Sequence, residues 1–271
     1  MSPPIRLDFG TMDRTIFARL HYDGTGFAGW QIQPDARTVQ GEIEAVLLRL
    51  LDHPVRVHAA GRTDAGVHAL GMAVSAIVPA RWTPDALRRS VNALLPEECW
   101  VAEAREARSG FHARYSATGR RYAYRVGTDG AAKSPFRRPF EWAMDHSLEL
   151  AALERMAGML RGTHDFRALA VHTGERENCR CTIRQAQWVP RIQDRGVEFH
   201  VAADRFLHHM VRILVATMVD AALGRRPEGD LALLLGQDPG VRASAPAPPH
   251  GLYFVRAEYP DHWFRLDEDP G

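Results

Sequence analysis

The feature that most narrows what this chain can fold into is a pattern it runs through twice. In residues 15–22 the apolar Ile16, Ala18, Leu20 and Tyr22 alternate with polar neighbours, the two-residue period of a strand. Helical spacing follows in Val39, Ile43, Val46, Leu47 and Leu50, with Thr38 placed as N-cap. Val55, Val57 and Ala59 alternate again, a strand is expected over 73–78, and Thr83-Pro84-Asp85 opens a helix that Pro96 stops. A weaker strand over 100–107 completes the order β-α-β-β-α-β. The second half repeats it, with strands at 121–128, 182–189, 197–203 and 252–258. Its helices are one capped by Ser147 that runs to Leu160, a long apolar one over 206–224, and a short one after Pro227. The order predicts an α+β fold of two tandem ferredoxin-like halves, 14–112 and 113–262, with helices on one face of each antiparallel sheet. The opposite faces are then open to form a shared surface or cleft. Residues 1–13 and the acidic Asp267-Glu268-Asp269 read as frayed tails.

A chain of 271 residues can bury such a core without disulfides or metals, and 45% hydrophobic with 25% charged residues excludes collagen, coiled coil and wholesale disorder. Cys99, Cys179 and Cys181 form an odd set without a CxxC pair, so they read as reduced thiols of a cytoplasmic protein rather than a disulfide framework or zinc ribbon. Near the start, Arg6 and Asp8 interrupt Ile5, Leu7 and Phe9, which excludes a signal peptide there. The most apolar helix carries His208, His209, Arg212 and Asp220, so no membrane span is expected. Net charge is only 34 − 33 = +1, but Lys133 is the sole lysine and nearly all positive charge is guanidinium. Several arginines, Arg120, Arg121 and Arg125 among them, lie beside Tyr122 and Tyr124, a mixture that suits phosphates and stacked bases and equally a solvated surface.

The stretch Gly61-Arg62-Thr63-Asp64-Ala65-Gly66-Val67-His68-Ala69-Leu70-Gly71 is too long and too polar for a plain strand connection. Polar loops between rigid strands commonly carry catalysis, although a decorated Asp-Ala-Gly turn would also read this way. An ionised Asp64 is favoured by Arg62 two residues away. Arg212 lies in an apolar stretch and needs a carboxylate partner, for which Asp64 is the candidate. No HExxH, P-loop or GxSxG pattern is present, and only Asp204 and His208 have a metal-like spacing, so neither metal nor cofactor is expected.

Together these residues resemble the tRNA pseudouridine synthase A family. The likeness runs through Tyr22-Asp23-Gly24-Thr25, Gly29-Trp30-Gln31, Thr38-Val39-Gln40, the string from Gly61 to Ala69, and Asn92-Ala93-Leu94-Leu95-Pro96. It continues in Phe111-His112-Ala113-Arg114, Arg121-Tyr122-Ala123-Tyr124, His164-Asp165-Phe166, the run from Phe206 to Arg212, and Gly251-Leu252-Tyr253. Met72 stands where glutamine is common, and Asn178-Cys179-Arg180-Cys181 is an unusual spelling. The resemblance implies two RRM-like halves whose antiparallel sheets join around a central cleft, a homodimer, and no cofactor or metal. It further implies that uridines at positions 38, 39 and 40 of the tRNA anticodon stem-loop are isomerised. By position, Asp64 resembles the essential aspartate, Arg62 its basic neighbour, Arg212 the residue paired with it, and Tyr122 the ring that packs on the base. His68, Arg114 and Arg121 join Tyr122 as expected substrate contacts.

Pseudouridine formation breaks the N1–C1′ bond, turns the uracil and rejoins it through C5. Asp64 is suited to it as nucleophile or as base, and Tyr122 either removes the C5 proton or only stacks. Arg62 and Arg212 are expected to converge on Asp64. A non-catalytic RNA-binding module of RRM-like halves is the alternative, and a hydrolase using Asp64 a weaker one.

Overall fold

The computed structural model describes residues 13–144, 146–171, 178–192 and 195–264, so most of both expected tails lies outside the described residues. The first half comprises β1 (Asp13–Tyr22), α1 (Val39–Leu51), β2 (His58–Ala59), β3 (His68–Pro79), α2 (Pro84–Asn92) and β4 (Cys99–Ala107). Both helices start as their caps predict: Thr38 accepts the Gly41 N–H, and Thr83 accepts that of Ala86 with Pro84 behind it. The second half comprises β5 (Gly119–Gly127), β6 (Trp142–Ala143), α3 (Leu150–Met159), β7 (Gly162–Asp165), β8 (Arg180–Arg191), β9 (Gly196–Ala203), α4 (Met210–Ala222), α5 (Asp230–Leu235) and β10 (Leu252–Glu258).

All ten strands belong to one sheet of order β4-β1-β3-β10-β5-β9-β8-β7, with β2 on β3 and β6 on β5. The class is α+β, and the sheet is mostly antiparallel. Its central junction departs from the expected antiparallel join. There β10 runs parallel to β3, through Tyr253 opposite His68 and Phe254 opposite Ala69. That pairing also explains why β3 begins at His68, five residues before the apolar alternation suggests. Other departures have local causes. The polar β7 has no apolar alternation and is held by its backbone ladder to β8. The helix α3 begins at Leu150 behind an uncapped Glu149 rather than at Ser147. The helix α4 begins only at Met210, because His209 adopts a left-handed φ of 58°.

Two cores flank the junction. Helices α1 and α2 close one over Leu20, Trp30 and Met72; α3, α4 and α5 close the other over Tyr124, Trp188 and Phe199. The halves exchange side chains across the seam: Val67, from the loop before β3, is buried in the second core, and Phe254 of β10 in the first. Tyr122 packs against both. Such crossed burial fixes the loop between β2 and β3 relative to the second half, which a hydrogen-bond ladder of two residue pairs alone would do weakly. Among the described residues no helix is long and apolar enough to cross a membrane.

Candidate active site

The loop that carries Asp64 rests on the segment between β1 and α1. Trp30 N–H donates to Thr63 O at 3.0 Å, Gly66 N–H to Phe27 O at 3.3 Å, and Tyr22 Oη pairs with Thr63 Oγ1 at 2.8 Å. Two glycines make this contact possible. A Cβ on Gly24 would lie 2.1 Å from Val67 O, and one on Gly29, whose φ is +96°, would lie 2.7 Å from Thr63 O. The Tyr22–Thr25 and Gly29–Gln31 motifs are thus the bed of the loop.

From the other side, α4 and the two residues before it bring three groups to Asp64. Arg212 Nη1 lies 2.9 Å from Asp64 Oδ2, and His209 Nε2 lies 3.2 Å from the same oxygen. His208 Nε2 is 3.7 Å from Oδ1, beyond hydrogen-bond reach. Sequence spacing leaves the place of His208 and His209 open. It gives no sign of the left-handed turn at His209 that aims the two rings. Arg212 is itself fixed, because its Nε donates to Ala247 O at 2.7 Å and Ala247 N–H returns to Arg212 O at 3.1 Å. The Pro-rich loop 246–249 therefore braces the arginine. Tyr124 adds a bond from its hydroxyl to Pro248 O at 2.8 Å.

Tyr122 closes the site with its ring edge-on to Phe206 at 5.0 Å and Phe254 at 5.2 Å. Burial pushes its phenol well above the ordinary range and the Asp64 charge adds to this, against the opposing pull of Arg120. The side chain is a neutral phenol in the free protein, which favours the stacking role over that of a ready base. Burial likewise lowers the His209 imidazole, outweighing the attraction of Asp64. Asp64, His208 and His209 bring ligand atoms within 4.8 Å of one another and could hold a divalent cation. The Arg212 guanidinium on the same carboxylate opposes one. The Asp204–His208 pair singled out by spacing does not form, since Asp204 Oδ1 instead accepts the Thr182 and Arg205 N–H groups.

Several expected contacts lie elsewhere. Arg62 is exposed and enters no ion pair among the described residues, so it does not converge on Asp64 with Arg212. Arg121 points to the opposite sheet face from its neighbour Tyr122, as strand alternation demands, and pairs with Glu258 at 2.6 Å. Arg114 is exposed, over the Tyr115 ring. His68 is only 2% exposed and has no free nitrogen for a substrate. Its Nδ1 accepts the Gly24 N–H at 3.1 Å while Nε2–H faces Pro139 O at 3.0 Å and His250 O at 3.2 Å. His68 therefore holds the loop to both halves.

The buried histidine gives a pH signature. Burial holds the His68 imidazole below its usual 6.5, and His112, His209 and His250 shift in the same direction for the same first cause. The unfolded chain then binds these protons more readily than the folded one. The stabilisation is complete above pH 6.5 and is lost as the pH falls through the lowered values. Melting temperature should fall between pH 7.5 and 5.5, and His68→Gln, which keeps one donor and one acceptor, should flatten part of that slope. An unaltered slope in the variant would remove His68 from the account.

Comparison with known proteins agrees with this geometry. The sequence profile described as tRNA pseudouridine synthase matches residues 18–116 and 156–260. Curated relatives include tRNA pseudouridine synthase A of Chlorobaculum tepidum, 39% identical over 91% of this chain and 98% of that protein. The tRNA pseudouridine synthase A of Chlorobium luteolum is 39% identical over 92% and 97%, and that of Exiguobacterium sp. 36% over 91% and 98%. The chain belongs to the tRNA pseudouridine synthase family, enzymes that isomerise uridine to pseudouridine.

Proposed function

We propose that the chain isomerises uridines 38, 39 and 40 in the anticodon stem-loop of tRNAs, with Asp64 as the reacting carboxylate. The observation that carries this reading is the asymmetry of Asp64. Its Oδ2 is held by Arg212 and His209, whereas Oδ1 has no hydrogen-bond donor within 3.5 Å among the described residues. An oriented, ionised and unoccupied oxygen is what the reaction uses, whether it attacks the nucleoside or takes a proton from its sugar. The N1–C1′ bond then breaks, C5 bonds to C1′, the C5 proton leaves to solvent and N1 takes up a proton.

Other residues take roles around that oxygen. Tyr122 packs on the uracil once it has been flipped from the stem-loop, at an unstacking cost of a few kcal/mol that the surrounding contacts offset. Exposed Arg62 and Arg114 take phosphates of the arm. The orders β4-β1-β3-β2 and β10-β5-β9-β8 support two tandem RRM-like halves divided near residues 112 and 113, with the site in the cleft between them. The family likeness supports a homodimer, and three buried free cysteines suit the reducing cytoplasm.

The test is tritium release from tRNA carrying [5-³H]uridine, without added metal, followed by mapping of the pseudouridines. Release with products at 38, 39 and 40 is expected. Products elsewhere would overturn the assigned positions. Tight tRNA binding without release would leave the RNA-binding module in place of the enzyme.

A further inference from the structure

Between β4 and β5 the surface carries aromatic rings that the chemistry at Asp64 does not use. His58 of β2 lies 4.5 Å from His112, centroid to centroid and 34° from parallel, and His112 lies 4.4 Å from Tyr115 at 36°. The Arg114 guanidinium sits 5.7 Å over the Tyr115 ring. Tyr115 is 75% exposed, yet the backbone beneath it is fixed. His112 Nδ1 accepts the N–H groups of Arg114 and Tyr115 at 3.1 and 3.4 Å, and Ser75 Oγ accepts that of Ala113 at 3.0 Å. Tyr259 Oη donates to Ala113 O at 2.7 Å. Single exposed rings are ordinary surface. A column of three on a rigid support, with a cation over its outer ring, has the chemistry that holds an unstacked base.

Arg120 links this column to the reactive loop. It shares the Tyr122 face of β5 by alternation. Its guanidinium donates to Arg114 O at 2.6 Å and to Ala60 O at 3.1 Å, so one side chain ties the column's turn to the strand that leads into the loop. Ala60 precedes Asp64 by four residues, a reach of at most about 14 Å. The column is therefore tied through one side chain to the segment that carries Asp64.

We propose that His58, His112 and Tyr115, with Arg114, form a stacking subsite for an unpaired nucleobase of the substrate RNA, a base other than the uridine that reacts. The proposal rests on tRNA being the substrate. The base stacks on Tyr115, the outermost ring, and the Arg114 guanidinium now over that ring turns to an adjacent phosphate.

Equilibrium binding of fluorescein-labelled tRNA to the full chain tests it, alongside KM for tritium release. Tyr115→Ala should weaken Kd and raise KM about 5- to 100-fold, the range for one stacked base, without changing the salt dependence of binding. Tyr115→Trp should restore affinity. Arg114→Ala should instead lower the slope of log K against log salt by about 1. Wild-type affinity in Tyr115→Ala overturns the subsite, as does a loss that Trp does not restore. A change in oligomeric state by sedimentation with tRNA affinity intact also overturns it, assigning the column to a protein contact. Wild type that binds tRNA without releasing tritium would count against the isomerase alone, since the stacking test is still read in Kd.

Discussion

Replacing Asp64 by asparagine should lower tritium release by about a thousandfold or more while the protein still folds and binds tRNA. The substitution is nearly isosteric. Its remaining oxygen can go on accepting from Arg212 Nη1, now 2.9 Å from Oδ2, and the new amide falls on the side of His208, where Oδ1 has no donor. The negative charge is lost, and with it the capacity to attack the nucleoside or to take a proton. A modest stability change of about 1 kcal/mol is expected, because Arg212 and His209 share one neutral acceptor in place of a carboxylate. Thermal melting and tRNA affinity measured on the same sample separate chemistry from folding. Residual release near the wild-type rate in a folded, RNA-bound variant would exclude Asp64 as the reacting group.

Arg212→Ala should damage both activity and stability. The guanidinium is 13% exposed and links three parts of the chain: Asp64 on the loop before β3, Ala247 in the Pro-rich segment, and α4 itself. Its removal leaves the Asp64 carboxylate short of its cation and Ala247 O short of its donor. Breaking a buried pair from one side costs about 3 kcal/mol, the low end of the range, since Asp64 is more than a quarter exposed. For a chain of this size that lowers the melting temperature by roughly 6–12 °C. Activity should fall further than stability explains, because Oδ2 loses its closest anchor and Oδ1 its fixed direction. Arg212→Lys tests that division. A single ammonium keeps the charge but cannot span Asp64 Oδ2 and Ala247 O together. It should recover part of the melting temperature and little of the rate. Full activity with unchanged melting in Arg212→Ala would remove the residue from the scheme.

Much of this arrangement is legible in the amino-acid order, and the rest is hidden for identifiable reasons. Period-two and period-3.6 patterns give the order of the elements, because each strand and helix buries one face. They say nothing of the parallel seam between β3 and β10, which depends on two residue pairs distant in sequence. The Arg212–Asp64 pair follows from the cost of an unpartnered charge in an apolar helix. A histidine inside a polar, glycine-rich loop reads as a contact residue, and its fastening of that loop to Gly24, Pro139 and His250 depends on partners distant in sequence. The facing of Arg121 is legible from alternation: on a strand, the residue next to Tyr122 points the other way. The aim of His208 and His209 depends on one backbone angle that no spacing rule encodes.

Among the described residues β10 is the last strand in sequence, yet it lies at the middle of the sheet. On the ribosome, the first half emerges with Asp64 on its loop, but Val67 has no core to enter and Phe254 has not yet filled the first one. The stretches of β3 and β5 that β10 covers stay unpaired until residues 252–258 are released. A nascent or prematurely terminated chain therefore presents two sticky strand edges and no working centre, a state prone to aggregate and in need of chaperone cover. Activity in this molecule waits on residues 252–258, the short strand that slots between the two halves.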